Sequence, residues 1–143
     1  RNMRIPAELA VANNPELDWN CLAIIDDDEQ LNEIIKKFLE KEGFSFNIVQ
    51  AYDGFAAGAL LTERKPGFII LDIDLPGLDG NAICRKIKSD PAFGKPFVIT
   101  VTGLDAQSIK TMALDAGADA FLSKPLDFDA LRTIMIDFSG KVR

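Results

Sequence analysis

The sequence predicts a doubly wound α/β domain, a (βα)₅ unit spanning about residues 20–140. Two observations carry this prediction. First, five short apolar runs alternate with segments of helical periodicity: CLAIIDDD (21–28), FNIVQA (46–51), FIILDID (68–74), FVITVTG (97–103) and AFLSKP (120–125). Strands that alternate with helices of roughly 10–15 residues build βαβ units and a parallel sheet covered on both faces. Second, four of the five runs end in or just before a reactive side chain: Asp26-Asp27, Asp72, Thr102 and Lys124. An open α/β sheet places its ligand crevice beyond the carboxyl ends of its strands.

Taken in order, residues 1–19 contain Asn13-Asn14-Pro15, lack sustained periodicity and read as an arm or linker, with a short helical turn near 7–12. The folded domain then occupies 20–143. After the first run, Leu31, Ile34, Ile35, Phe38 and Leu39 recur at helical spacing, and Gly43 is placed to cap that helix. After the second, Gly54 to Arg64 is rich in Ala and Leu and is stopped by Pro66-Gly67. Ala82 to Ser89 and Ser108 to Ala116 read as the third and fourth helices, the latter followed by Gly117. Leu131, Ile134, Met135 and Phe138 mark the last.

Composition narrows the function. The chain has 143 residues, 48 % hydrophobic and 27 % charged, which suits one soluble domain with a real core. A net charge of −6 argues against a direct nucleic-acid binder, which needs basic patches to displace counterions. Cys21 and Cys84 lack metal-ligand spacing and read as buried thiols of a reducing cytoplasm. With no histidine, imidazole acid–base chemistry and imidazole metal ligation are excluded. No apolar run approaches the about 20 residues of a membrane span, and the first residues do not resemble a signal peptide.

Three consecutive acids, Asp26, Asp27 and Asp28, follow the first run. Carboxylates suit a helix N-terminus, which accounts for Asp28 and Glu29 but does not require Asp26 and Asp27. Asp72 ends an equally apolar strand and projects into the same crevice. Crowded carboxylates repel one another unless a cation neutralises them. Mg²⁺ is the natural one, since it takes oxygen ligands and works with few carboxylates plus a phosphate; Mn²⁺ or Ca²⁺ can substitute. One carboxylate can then act as a nucleophile toward phosphorus. Thr102 can hydrogen-bond a phosphoryl oxygen and Lys124 can pair with its charge. A strand-end Thr or a loop Lys says little alone; their joint occurrence at strand ends carries the argument.

At this point the chain resembles the receiver domain of the two-component response-regulator family, from about Leu22 to Phe138. The matching motifs are AIIDDDEQ, LDIDLPGLDG, the VTG segment and SKPL, with Thr102 thirty residues after Asp72 and Lys124 twenty-two after Thr102. The resemblance implies a flavodoxin-like sheet of order 2-1-3-4-5 with helices on both faces. It implies that Asp72 is the phosphoacceptor, that Asp27 binds Mg²⁺ directly and that Asp26 acts through metal-bound water. Asp74 would lend its backbone carbonyl to the metal and leave its side chain free near the mouth of the site. Thr102 would be the switch hydroxyl, Lys124 the phosphate-pairing cation, and Lys124-Pro125 a cis peptide. Phe121 stands at the aromatic switch position, with simple core packing as a serious competing reading.

The implied mechanism is a population shift. Aspartyl phosphate draws Thr102 inward, Phe121 follows, and the face made by the helix at 108–116, the fifth strand and the last helix changes shape. The implied partners are a histidine kinase or histidine phosphotransfer protein and a downstream output protein or domain. Direct nucleic-acid binding and membrane insertion are not expected; the expected state is monomer or weak homodimer, and the location cytoplasmic. The domain would catalyse only its own phosphorylation and dephosphorylation, either as a stand-alone regulator or as part of a larger protein. Gly103 departs from the alanine frequent after the switch threonine. Ala120 and Ile134 depart from the charged residues that lock dimers of winged-helix regulators. Leu126, Phe128 and Ile136 make the last helix rather apolar, suggesting either a contact patch or burial against the arm.

The alternative reading is a phosphatase resembling the haloacid dehalogenases, with Asp72 as nucleophile of the Asp72-Ile73-Asp74 motif. Against it, that family's nucleophile lies on the first strand and its acidic pair follows it. A nucleotide or flavin binder is disfavoured because the first turn is Asp-Asp-Asp and not a glycine-rich loop.

Overall fold

Seven consecutive buried residues form the strand Pro66–Asp72, the centre of a five-stranded sheet. The computed structural model describes residues 17–103, 111 and 115–141. The strands are β1 (Asp18–Ile25), β2 (Asn47–Ala51), β3 (Pro66–Asp72), β4 (Phe97–Thr102) and β5 (Ala120–Ser123). Their order is β2-β1-β3-β4-β5 and all neighbours are parallel, as the sequence predicts. The described helices are α1 (Glu29–Lys41), α2 (Gly54–Arg64), α3 (Gly80–Ser89) and α4 (Phe128–Lys141), with a 3₁₀ turn at Pro91–Phe93. The expected turn at 7–12 and most of the expected helix at 108–116 lie outside the described residues.

Alternate residues of the central strands supply two cores. Ala23, Ile25, Ile69, Leu71 and Val98 face α2 and α3, packing with Leu61, Cys84 and Ile87. Leu22, Ile24, Phe68, Ile70, Ile99 and Val101 face α1 and α4, packing with Ile35, Leu39, Leu131 and Met135. Because both faces are covered, the strand interiors read as continuous apolar runs. The parallel arrangement brings all the strand carboxyl ends to one edge.

The helix boundaries have local causes. Asp28 caps α1 by accepting the Leu31 N–H at 3.1 Å, and Asp53 caps α2 by accepting that of Ala56 at 2.7 Å. The end of α1 is a Schellman closure, with Gly43 N–H donating to Glu40 and Phe44 N–H to Leu39. That is the role predicted for Gly43.

Four features differ from the sequence reading. The first strand starts at Asp18, three residues before the apolar run at Cys21. Asp18 and Asn20 are exposed while Trp19 is buried, so alternation at the sheet's lower end hides the strand among polar residues. Trp19 packs edge-on to Phe68 and stacks on Phe138, with ring centres 5.6 and 6.2 Å away. Second, Pro66-Gly67 not only stops α2 but opens β3, where a first-position proline owes the ladder no donor. Third, Ile34 is 51 % exposed, and Asn32 is fully buried in the stripe with Ile35 and Leu39. Fourth, Leu126 and Phe128 are half-buried against the core that α1 and α4 share, where Phe128 meets the Phe38 ring at 5.0 Å, and Ile136 is exposed; most of the arm expected to cover them lies outside the described residues.

Candidate functional site

Register sets the site. Ile25 pairs with Leu71 and Asp72 with Val101, so the residues just past β1, at the end of β3 and at the end of β4 are lateral neighbours. Asp26 and Asp72 are each 2 % exposed, while Asp27 faces solvent. Carboxylate oxygens of Asp26, Asp27 and Asp72 lie within 4.8 Å of one another. Lys124 follows β5, and its backbone N–H is bound to the Thr102 carbonyl at 2.7 Å. Its ammonium lies 3.2 Å from Asp72 Oδ2 and 3.3 Å from Asp26 Oδ2. The Lys124–Pro125 peptide is cis. The four strand ends singled out in the sequence therefore meet at one edge of the sheet.

The electrostatics follow from burial and crowding. Loss of water pushes the Asp72 carboxyl up to about 6, and the Asp26 charge adds to the rise. The Asp74 N–H, which donates to Asp72 Oδ1 at 2.9 Å, and the Lys124 ammonium work in the opposite direction. Partial burial disfavours the charge on Lys124, but Asp26 and Asp72 outweigh it and raise its pKa above the usual lysine value. One lysine bridging two buried carboxylates leaves the pocket with an excess of negative charge.

That excess tests the fit of a divalent cation. Three carboxylates with converging oxygens, two of them buried, form a hard oxygen donor set of the kind Mg²⁺ selects. Asp26, Asp27 and Asp72 are the groups that would hold it.

The loop after β3 is shaped by two glycines. Leu78 N–H returns to the Leu75 carbonyl at 3.2 Å, with Pro76 and Gly77 (φ 74°) in the two central positions of a type II turn. A Cβ on Gly80 would lie 2.2 Å from Ile73 Cα, so only glycine lets α3 start against the loop. Asp79 then caps α3, accepting from Asn81 N–H at 3.0 Å and Ala82 N–H at 3.3 Å.

The same loop corrects one expectation. The Asp74 side chain is not free at the mouth. Its Oδ2 accepts the Thr102 hydroxyl at 2.8 Å and the Gly103 N–H at 2.9 Å. Asp74 is two residues from Asp72 and its loop lies against the end of β4, where these donors point. Phe121 is half-buried and packs against the α2–α3 core.

Asn32 is the residue that sequence reasoning missed. Its Nδ2 lies 3.2–3.3 Å from the carbonyls of Ile24, Asp26 and Ala51, and its Oδ1 accepts from Gln50 at 3.0 Å. It ties α1 to the backbone that carries the acid pair. An asparagine standing in an apolar helical stripe was the available signal.

Comparison with known proteins agrees with this geometry. The family model described as "Response regulator receiver domain" matches residues 22–136. The chain is 33 % identical over 110 residues to a Synechocystis protein described as a DNA-binding dual master transcriptional regulator, RpaA. That match covers 77 % of this chain but 45 % of the relative, so the chain spans less than half of the relative's length. Among solved structures, the receiver domain of a DNA-binding response regulator from Colwellia psychrerythraea matches with TM-score 0.76 and 33 % identity, covering 85 % of this chain and 98 % of that one. A Bermanella marisrubri receiver domain matches with TM-score 0.74 and 30 % identity, covering 84 % and 98 %. The phosphatase alternative finds no support in these matches, and Asp72 lies on the third strand, after the acid pair. On its motifs, its sheet order and its matched relatives, the chain belongs to the receiver-domain family of two-component response regulators.

Proposed function

We propose that Asp72 accepts a phosphoryl group from a phosphohistidine of a kinase or phosphotransfer protein, in a Mg²⁺-dependent reaction. One observation above all supports this: a buried carboxylate at the end of the central strand lies 3.2 Å from an ammonium and beside two further acids. An Asp72 oxygen forms the bond to phosphorus as the P–N bond breaks, and the imidazole leaves with the electron pair and takes a proton from water. Deprotonation of Asp72 is required, and its carboxyl at about 6 is ionised at neutral pH. Bound Mg²⁺ would supply neutralisation of the carboxylates and of the charge on the transferred group.

Lys124 pairs with the charge of that group, a role supported by its ammonium lying 3.2 Å from Asp72 Oδ2. Thr102 then turns its hydroxyl to the phosphoryl oxygens and Phe121 follows it, altering the face around β5 and α4 for an output partner. Direct DNA contact is not assigned to this segment, because its net charge is −6. No helix among the described residues is long and apolar enough to cross a membrane, and a cytoplasmic setting suits the phosphoryl donors named.

The test is intact-mass analysis after incubation with a small acyl phosphate. One phosphoryl per chain is expected with Mg²⁺, none with chelator and none in Asp72→Asn. Repeated turnover of a phosphate monoester without labelling would overturn the proposal in favour of a phosphatase.

A further inference from the structure

The Thr102 hydroxyl and the Gly103 N–H converge on one oxygen, Asp74 Oδ2, at 2.8 and 2.9 Å. Both bonds end on an anion, the stronger class of hydrogen bond. A phosphoryl group on Asp72 is an anionic oxygen acceptor of the same kind, and Asp74 is joined to Asp72 by a bond of 2.9 Å from its own N–H. The two acceptors therefore belong to residues two apart at the end of β3, where Asp72 pairs with Val101, the residue before Thr102. We propose that Asp74 is a positioning residue: its carboxylate holds Thr102 and Gly103 in the resting arrangement and competes for them with the phosphoryl group. This rests on the phosphoacceptor reading above.

Three observations make the exchange feasible. Asp74 is exposed, so water rehydrates its carboxylate when the donors leave. Among the described residues, an added Cβ on Gly103 would meet only the Lys124 Cβ, at 4.0 Å. The Lys124 N–H is bound to the Thr102 carbonyl, so the end of β4 stays attached to β5 while the donors turn. A ligand shifts a two-state equilibrium only by its difference in affinity for the two states. Each donor that Asp74 binds in the resting state raises the phosphoryl affinity needed to reach the other.

Five proteins test this: wild type, Asp74→Ala, Asp74→Asn, Thr102→Ala and the Asp74→Ala/Thr102→Ala double variant. The first readout is the Gly103 amide NMR signal in unphosphorylated, divalent-free protein. The second is the beryllium fluoride concentration that half-saturates the Mg²⁺ protein, since this ion mimics a phosphoryl group. In Asp74→Ala the Gly103 amide signal is expected to move and its solvent exchange to quicken, and half-saturation to fall about tenfold, as loss of one charge-assisted bond predicts. Asp74→Asn keeps an acceptor oxygen and should lie between the two. On the Thr102→Ala background the gain should shrink. An unmoved Gly103 amide, or an Asn variant equal to Ala, would overturn the proposal, the latter by assigning the effect to charge alone. If no protein takes up beryllium fluoride while the amide still moves, the phosphoacceptor reading fails and the Asp74 contact stands.

Discussion

Replacing Asp72 by asparagine should stabilise the divalent-free protein. The wild-type carboxyl is 2 % exposed and is pushed from 3.8 up to about 6, by burial first and with Asp26 adding to it. Between those values the folded chain binds a proton that the unfolded chain has released. Stability therefore falls as pH rises through the window, and the loss is complete above about pH 7. At about 1.4 kcal/mol per pH unit, the gap from 3.8 to about 6 amounts to about 3 kcal/mol. Asparagine keeps the shape and an oxygen for the Asp74 N–H but carries no charge. The lost 3.2 Å pair with Lys124 is already counted, because it opposes the rise, and Lys124 keeps Asp26 at 3.3 Å. Urea unfolding with chelator should find Asp72→Asn more stable by about 2–3 kcal/mol near neutral pH, with the difference vanishing near about pH 4. Added Mg²⁺ should stabilise the wild type more than the variant, narrowing the gap. A variant no more stable than wild type at neutral pH, or a gap independent of pH, would refute the crowding argument.

Gly103→Ala should leave the melting temperature unchanged, because among the described residues the new methyl meets only the Lys124 Cβ at 4.0 Å. It should nevertheless slow acyl-phosphate labelling or hydrolysis by narrowing the mouth, and identical rates in both assays would sink that idea. Asn32→Ala removes the amide shared by three carbonyls and leaves a void, so chemical denaturation should show a loss of about 2–4 kcal/mol. A loss under about 0.5 kcal/mol would mean that water replaces the amide fully.

How legible the molecule was in its sequence depended on which forces set each part. The sheet was legible because burial on two faces leaves continuous apolar runs, and the site because parallel strands bring their carboxyl ends to one edge. Trp19 was hidden because alternation at the end of β1 places it between Asp18 and Asn20, which mimic a loop. Ile34 lies exposed and Asn32 is buried because helical spacing fixes which residues share a stripe, not where the stripe's edge meets the sheet. The contacts of Asp74 with Thr102 and Gly103 were illegible for a different reason. They join residues 28 and 29 positions apart through a loop whose path depends on the Pro76-Gly77 turn and the close approach at Gly80.

The amide of Asn32 gives the pocket a mechanical asymmetry. It fastens the carbonyls of Ile24, Asp26 and Ala51, and the Asp26 N–H is itself held by Ala51 at 3.1 Å. The wall of the crevice built from β1 is thus an anvil, with backbone held from the helix behind it. The opposite wall, at the end of β4, is held by its neighbouring strands, while the Thr102 hydroxyl and the Gly103 N–H reach from it to an exposed carboxylate. One wall is thus braced by an amide from behind, and the other turns its donors toward a loop carboxylate at the crevice mouth.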